Sequence, residues 1–317
     1  MEKKNQEVLK VAVDDDRDAA ILEAGFIPGW IGEGGLRPEP SQDFLPSCWR
    51  WQEGRKLLLL AAQYIDPEKS ERRNIRLANP AEGKRTSLNN IHCSYQMVAP
   101  NEFARPHRHT VNAGRLILES HYAYTTLDGE KVYMKPNDIV LTPNWVWHGL
   151  GNESDVDPAF WIDFLDDPLV NSLQAMFFEV ENQIEFDLVE QTASPFHIKW
   201  SDLQEKLEYC MPDEYGRFGS RLPIENGSIP TMNLYIDRLD AGMVLKKKKS
   251  TANRMFICIE GEGITVVEGE EFFWTRGDVV AVPSWKEFFH STKTGGILFE
   301  CTDEPVLHLL NWYREEI

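Results

Sequence analysis

The sequence predicts an all-β protein of two tandem barrels behind an N-terminal helical segment, and three observations carry the prediction. From about residue 88, short segments rich in Ile, Val, Tyr, Phe and Trp alternate with Gly, Asn, Pro and Asp turns, the texture of a barrel or sandwich. A second stretch of the same texture runs from about 229 to 310. Its landmarks also echo the first: GDVVAVPSW at 277–285 repeats the order of turn, strand, proline and tryptophan in NDIVLTPNW at 137–145, the mark of an internal duplication.

These features divide the 317 residues into an arm (1–87), a first barrel (88–182), a connector (183–228) and a second barrel (229–317). Residues 1–40 read as a helix followed by the Gly/Pro-rich loop GFIPGWIGEGGLRPEP. A second helix is expected over 50–65, with the apolar run LLLLAA on one face. In the first barrel the expected strands are HCSYQMV, GRLILES, YAYTTLD, VYMK, DIVLTP and FWIDFLD, with Asp128-Gly129 supplying a hairpin turn. Residues 168–182 read as a helix leaving the barrel, and 183–228 as mostly irregular. The second barrel is carried by RMFICIEGEGITVVEGEEFFW, RGDVVAVPSW and GILFECTD.

Composition narrows the function. A hydrophobic fraction of 42% with ten tryptophans supplies a real core. The net charge of -18 argues against nucleic acid or an anionic membrane as partner, and it obliges any anionic substrate to find a local cluster of positive charge. The run at 57–62 is too short to span a bilayer. The charged opening MEKKNQEVLKVAVDDDRD lacks the apolar segment of a secretory signal, and the five cysteines are scattered, so a cytoplasmic protein with reduced thiols is expected.

The sharpest chemical feature is HRH at 107–109, followed 39 residues after His109 by His148. Residues i and i+2 of a strand share a face, so His107 and His109 can aim two imidazoles into one barrel interior. A third from a neighbouring strand completes a facial set with open positions for water, substrate or dioxygen. Imidazole suits iron, zinc, copper and nickel alike, so the ligand type leaves the metal open.

These segments resemble the two cupin motifs, HxH and G(x)5PxG(x)2H(x)3N. Asn137, Pro143, His148 and Asn152 stand at positions of the second, with Asn137 and Trp145 in place of its glycines. The carboxylate ligand of the first motif falls on Ala113 or Gly114, which leaves three histidines. More narrowly, ERRNIRLANP, PHRHTVNAGRLILE with YAYTTLDGE, LTPNWVWHGLGNES and FWIDFLDDPLV resemble the gentisate 1,2-dioxygenase family of bicupins, which includes salicylate and 1-hydroxy-2-naphthoate dioxygenases.

The resemblance implies two double-stranded β-helix barrels and Fe(II) held by His107, His109 and His148. It implies extradiol-type ring cleavage, with dioxygen, of an ortho-hydroxylated (or amino-substituted) aromatic carboxylate, in a homotetramer. It also implies that Arg115 holds the substrate carboxylate, that Arg72 and Gln96 line the pocket, and that Asp163 orients Arg115 or a ligand imidazole.

The chain departs from the family where WHDHGN becomes WHGLGN. Leu150 replaces a substrate-contacting histidine, Gly149 the preceding aspartate, and Glu119-Ser120-His121 an EG pair. A pocket with leucine there suits a substrate other than gentisate; His121 or His92 is available to restore a polar group. In the second barrel the positions of HRH read Lys248, Lys249 and Ser250, and the third-ligand position is Phe288. His290, two residues late, is expected to face away or lie in a loop, and KKKK at 246–249 to be a solvated turn. That barrel is therefore read as structural. The competing readings are an oxygen-independent metal-dependent isomerase, lyase or hydrolase on the same three histidines, and a non-catalytic binding module.

Overall fold

A computed structural model of the chain describes residues 16–30, 37–65, 73–181, 189–190 and 194–316. Two compact units separate between Ser41 and Gln42. The first contains α1 (Asp16–Glu23). The second carries both barrels.

The first barrel follows from strict alternation along its strands. One six-stranded sheet comprises β2 (Arg73–Arg76), β3 (His92–Val98), β5 (Ala113–Glu119), β8 (Ile139–Thr142), β10 (Ala159–Leu165) and β13 (His197–Ile198), in the order β13-β8-β5-β10-β3-β2. The other comprises β4 (Glu102–His109), β6 (Ala123–Leu127), β7 (Glu130–Tyr133), β9 (His148–Asn152), β11 (Phe178–Val180) and β12 (Val189–Glu190), in the order β11-β4-β9-β6-β7-β12. Val98, Ile117, Val140 and Trp161 of the first sheet pack with Ala123, Leu127 and Leu150 of the second to form the barrel interior. The expected hairpin is present, with Asp128 (φ 46°) and Gly129 (φ 87°) both in the left-handed region that a tight two-residue turn requires.

The second barrel repeats the plan with β14 (Ser220–Ile224), β15 (Asn233–Leu239), the long β17 (Arg254–Val267), β18 (Glu270–Thr275), β19 (Val279–Val282), β20 (Phe288–Ser291) and β21 (Gly296–Thr302). A small ladder of β16 (Lys249–Ser250) with β22 (Glu315–Glu316) lies at its mouth. The repeat extends to detail. Asn112 binds Asp166 through its backbone N–H and side-chain amide (2.8 and 2.9 Å), and Asn253 binds Asp303 the same way (2.8 and 2.7 Å).

The barrels share one core. Residues on the alternate face of the first barrel's sheet (Tyr95, Met97, Leu116, Phe164) cluster with Met255, Ile257, Phe299 and Cys301 of the second. The Phe164 and Phe299 rings lie 5.2 Å apart. Gly114 is required there, because a Cβ at that position would fall 2.2 Å from the Phe164 ring. Arg276 of the second barrel also donates to the Leu118 carbonyl and to the Asn137 side chain (3.0 and 2.8 Å). Asn137, in the place of a motif glycine, keeps the positive φ (69°) and adds a contact that glycine lacks.

The leader of each repeat crosses to the other barrel. The strand β1 (Ser47–Trp49) precedes the first barrel but pairs with β19 of the second, and the helix α2 (Trp51–Ala61) begins with the Trp51 N–H donating to Asp278 (2.8 Å). Reciprocally, β13 pairs with β8 of the first barrel, and the helix beginning at Trp200 donates its first N–H to Asp138 (2.9 Å). Each aspartate sits at a helix N-terminus, where a carboxylate satisfies an orphan donor and meets the positive end of the helix dipole.

Two expectations are corrected. The helix expected over 168–182 is the short α3 (Asp167–Ser172); the chain then turns at Gln174 (φ 55°), and Phe177-Phe178, β-favouring aromatics, run into β11 beside the HRH strand. The stretch 183–228 contains β12, β13, β14 and α4 (Trp200–Glu208), whose buried face of Trp200, Leu203 and Leu207 has helical spacing. The helix α5 (Glu304–Leu309) follows the second barrel as α3 follows the first.

Candidate metal centre

His107 and His109 lie on β4 with a register shift between Ala104 and His107, and His107 pairs directly with His148 on β9. All three are buried. The ring centroids of His107 lie 5.6 Å from His109 and 4.2 Å from His148, and His109 and His148 are 4.7 Å apart. One ligand nitrogen from each falls within 4.8 Å of the others. Between them Arg108 turns outward, stacks over Trp145 and Trp147 and pairs with Glu179 at 2.6 Å.

The hydrogen bonds decide which nitrogens can bind. Each Nδ1 meets a backbone carbonyl: His107 that of Arg105 (3.1 Å), His109 that of Val111 (2.9 Å) and His148 that of Val146 (2.9 Å). A carbonyl only accepts, so each ring carries its proton on Nδ1 and leaves the Nε2 lone pair for a metal. Burial and the neighbouring imidazoles push the His148 pKa well below its usual value, which keeps the ligand form neutral. The donor set therefore fits a divalent metal. A turn common to both barrels supports the strand: the Trp145 N–H donates to the His109 carbonyl (2.9 Å), and the Trp285 N–H to that of Ser250 (2.7 Å). Both tryptophans have positive φ (64° and 62°), so the backbone shape of the motif glycine is retained under strain.

Behind the histidines, Arg115 is almost fully buried. Its Nε lies 3.5 Å from Asp163, its Nη1 donates to Thr125 (3.0 Å), and its guanidinium sits 5.8 Å from the Trp161 ring centre. Burial lowers the Arg115 pKa, and Asp163 works against that shift. Asp163 also accepts the Trp161 indole N–H at 3.1 Å. Gln96 is buried on β3 opposite Trp161, and its Nε2 has no partner among the described residues. Arg72 lies outside the described residues; its neighbour Arg73 is committed to Glu102 (2.6 Å).

A cavity of about 320 Å³ reaches His109 and Asp163 and is lined on one side by Met176 and Phe178, the latter stacked 5.4 Å from His107. Its far wall includes Asn74, Arg76, His92 and Asp167. Of the two histidines available to restore polarity, His92 is there, buried, its pKa lowered to about 4 by burial and by Arg76. His121 is exposed and 3.9 Å from Asp157, away from the site. Leu150 packs in the apolar barrel interior. Asn74, Arg76, Asp167 and Phe178 were missed from sequence. Asn74 and Arg76 had a signal, their two-residue spacing in ERRNIRLANP, whereas Phe178 was hidden by the helix expected over it.

In the second barrel His290 corrects its expectation. It stands two residues from Phe288 on β20, so it shares that face; it is 2% exposed, with Nδ1 2.9 Å from the Thr265 hydroxyl. Lys248, expected in a solvated turn, is instead partly buried, its Nζ donating to the Arg217 carbonyl (3.1 Å) and lying 3.7 Å from the Phe218 ring centre.

Comparison with known proteins agrees with this picture. The cupin domain pattern matches residues 94–165. A 5-aminosalicylate 1,2-dioxygenase of Comamonas sp. is 31% identical, over 93% of this chain and 88% of the relative. A gentisate 1,2-dioxygenase of Aquipseudomonas alcaligenes is 28% identical, over 87% and 88%. The solved salicylate 1,2-dioxygenase of Pseudaminobacter salicylatoxidans superposes with a TM-score of 0.87 at 26% identity, covering 97% of this chain and 99% of that one.

Proposed function

The chain belongs to the gentisate and salicylate 1,2-dioxygenase family of bicupins, and from that premise we propose that it is an Fe(II)-dependent dioxygenase that opens the ring of a hydroxylated (or amino-substituted) aromatic carboxylate. The observation that carries the reading is the set of three imidazoles, each with Nδ1 held by a carbonyl and Nε2 left for the metal. The bond cleaved is the one numbered 1,2 in the relatives' names, between the carbons bearing the carboxylate and the ortho substituent, an extradiol-type outcome.

When bound, the iron supplies a route for electrons between the aromatic ring and dioxygen. The protein's own groups do the rest. Three neutral ligands leave a positive charge on the centre that favours an anionic, chelating substrate. Arg115 holds the carboxylate, and Asp163 orients the guanidinium while Thr125 fixes its other end. Gln96, buried on β3 with its amide N–H unpartnered among the described residues, is a further donor toward the substrate. Arg72 is kept as a substrate-binding residue on the family resemblance alone. Leu150 removes a polar group from the barrel floor, which favours salicylates lacking a 5-hydroxyl over gentisate. Met176 and Phe178 supply apolar surface beside the metal-binding histidines.

The oxygen-independent isomerase, lyase or hydrolase reading is not favoured, because the relatives are dioxygenases. A cytoplasmic setting and a homotetramer belong to the same proposal; light scattering tests the assembly. The deciding experiment loads the protein with Fe(II) anaerobically and follows oxygen uptake with salicylate, 5-aminosalicylate, gentisate and 1-hydroxy-2-naphthoate. One dioxygen consumed per substrate, with a product heavier by two oxygen atoms, is expected. No uptake with any of them defeats the reading.

A further inference from the structure

A chain with a net charge of -18 repels an anionic substrate, and the wall of the metal-site cavity adds to the repulsion. Among the described residues that line it, Asp163 and Asp167 are acidic and Arg76 alone is a cation; the His92 ring is neutral at pH 7. Asp163 is answered by Arg115 at 3.5 Å. Asp167 has no such answer: its Oδ1 has no hydrogen bond among the described residues, and although burial pushes its pKa up to about 6, it is charged at pH 7. An aromatic carboxylate that enters here has to pass Asp167.

The sheet register puts Arg76 where it can act. Arg76 on β2 stands opposite Ser94 on β3, Ser94 opposite Asp163 on β10, and Asp163 opposite Arg115 on β5. Directly opposed residues share a face of the sheet, so these four make one row with a cation at each end. Three strand spacings, about 14 Å, separate the ends. The inner end is buried, with Arg115 3% exposed; the outer end is the edge strand, where Arg76 and Asn74 are exposed. Arg73 on the same strand is committed to Glu102, whereas Arg76 makes no hydrogen bond or ion pair with a described residue. Its charge still reaches inward, because it lowers the pKa of both His92 and Asp167.

We propose that Arg76 is the entry cation of the site: it meets the aromatic carboxylate at the cavity mouth, offsets Asp167, and speeds delivery to the inner end of the row. This rests on the aromatic-acid reading above. Arg115 cannot serve at that stage, since it is buried and faces Asp163. The metal position lies at the buried end as well. A unit charge acting across about 7 Å of water is worth about one thermal unit. Removing it therefore slows encounter about threefold, and reversing it about sevenfold.

Stopped-flow association of salicylate with full-length zinc-loaded protein, followed by salicylate fluorescence, tests this without turnover. At about 10 mM salt, association should slow about threefold in Arg76→Gln and about sevenfold in Arg76→Glu. Both variants should converge on the wild-type rate at about 0.5 M salt, where screening confines each charge to a few ångströms. Lys293→Gln removes the same charge from an exposed loop of the second barrel and should leave the rate unchanged. A wild-type rate and salt dependence in Arg76→Glu overturns the proposal. So does an equal slowing in Lys293→Gln, which would make the effect one of net charge alone. No salicylate association in any of the proteins also overturns it; the ring-opening reading stands or falls separately, on oxygen uptake.

Discussion

Replacing Arg115 by methionine separates the two roles assigned to it. The guanidinium is nearly inaccessible, 3.5 Å from Asp163 and 3.0 Å from Thr125. Removing it takes the opposite charge from a carboxylate that is itself 9% exposed and that accepts the Trp161 indole N–H. Breaking a buried ion pair from one side costs about 3–5 kcal/mol. This pair is longer than a hydrogen bond and methionine refills the space beside Trp161, so the low end, about 3 kcal/mol, is expected in urea unfolding. Adding Asp163→Leu should recover most of that loss. Substrate binding should not recover, because a charged hydrogen bond of about 1.5–3 kcal/mol is gone, a weakening of roughly 10- to 150-fold in Kd. Calorimetric titration of salicylate into zinc-loaded protein reads this without turnover. Metal content should be unchanged, since the ligand rings are held by the carbonyls of Arg105, Val111 and Val146. An Arg115→Met protein that loses stability yet binds salicylate with unaltered Kd refutes the assignment, and would point to Arg76 on the cavity wall as the carboxylate's partner.

The remaining predictions follow from the same geometry. His148→Ala should remove stoichiometric metal binding, read by elemental analysis after dialysis, while the barrel still melts cooperatively. Leu150→His places an imidazole in an apolar interior and should cost about 2 kcal/mol of stability; among substrates it should raise kcat/KM for gentisate relative to salicylate, and an unchanged ratio would remove Leu150 from the specificity argument. His92 has a folded pKa of about 4 against 6.5, so the unfolded chain binds its proton first. Stability should therefore fall as pH drops from about 6.5 towards 4, by about 3 kcal/mol in all from this group. His92→Gln should flatten that part of the stability profile.

The first barrel was legible because its signals are local. Strand alternation, the Asp128-Gly129 turn and the i, i+2 pair of histidines each act over a few residues, and His148 was found through the spacing of its turn. Leu150 and Phe288 were correctly placed in register, but their surroundings were not, since packing depends on strands far apart in sequence. His290 is not a ligand position, but strand alternation from Phe288 puts it on the inner face. The crossing leaders left a trace that went unread. Arg50-Trp51 and Lys199-Trp200 have the same basic–tryptophan order, each entering a helix whose first N–H meets the aspartate of a repeated turn. Nothing in either segment alone says which barrel it joins; that is decided by the shared core between the sheets.

The reciprocal leaders bear on why the barrel without the three histidines persists. A gene that lost the second barrel would deprive β1 and the start of α2 of their seat, and with the connector gone β8 would become a bare edge of the catalytic barrel. The two halves are related as partners in an exchanged dimer joined by one chain. A substitution that unseats either leader therefore reaches both halves, whichever of them carries the three histidines.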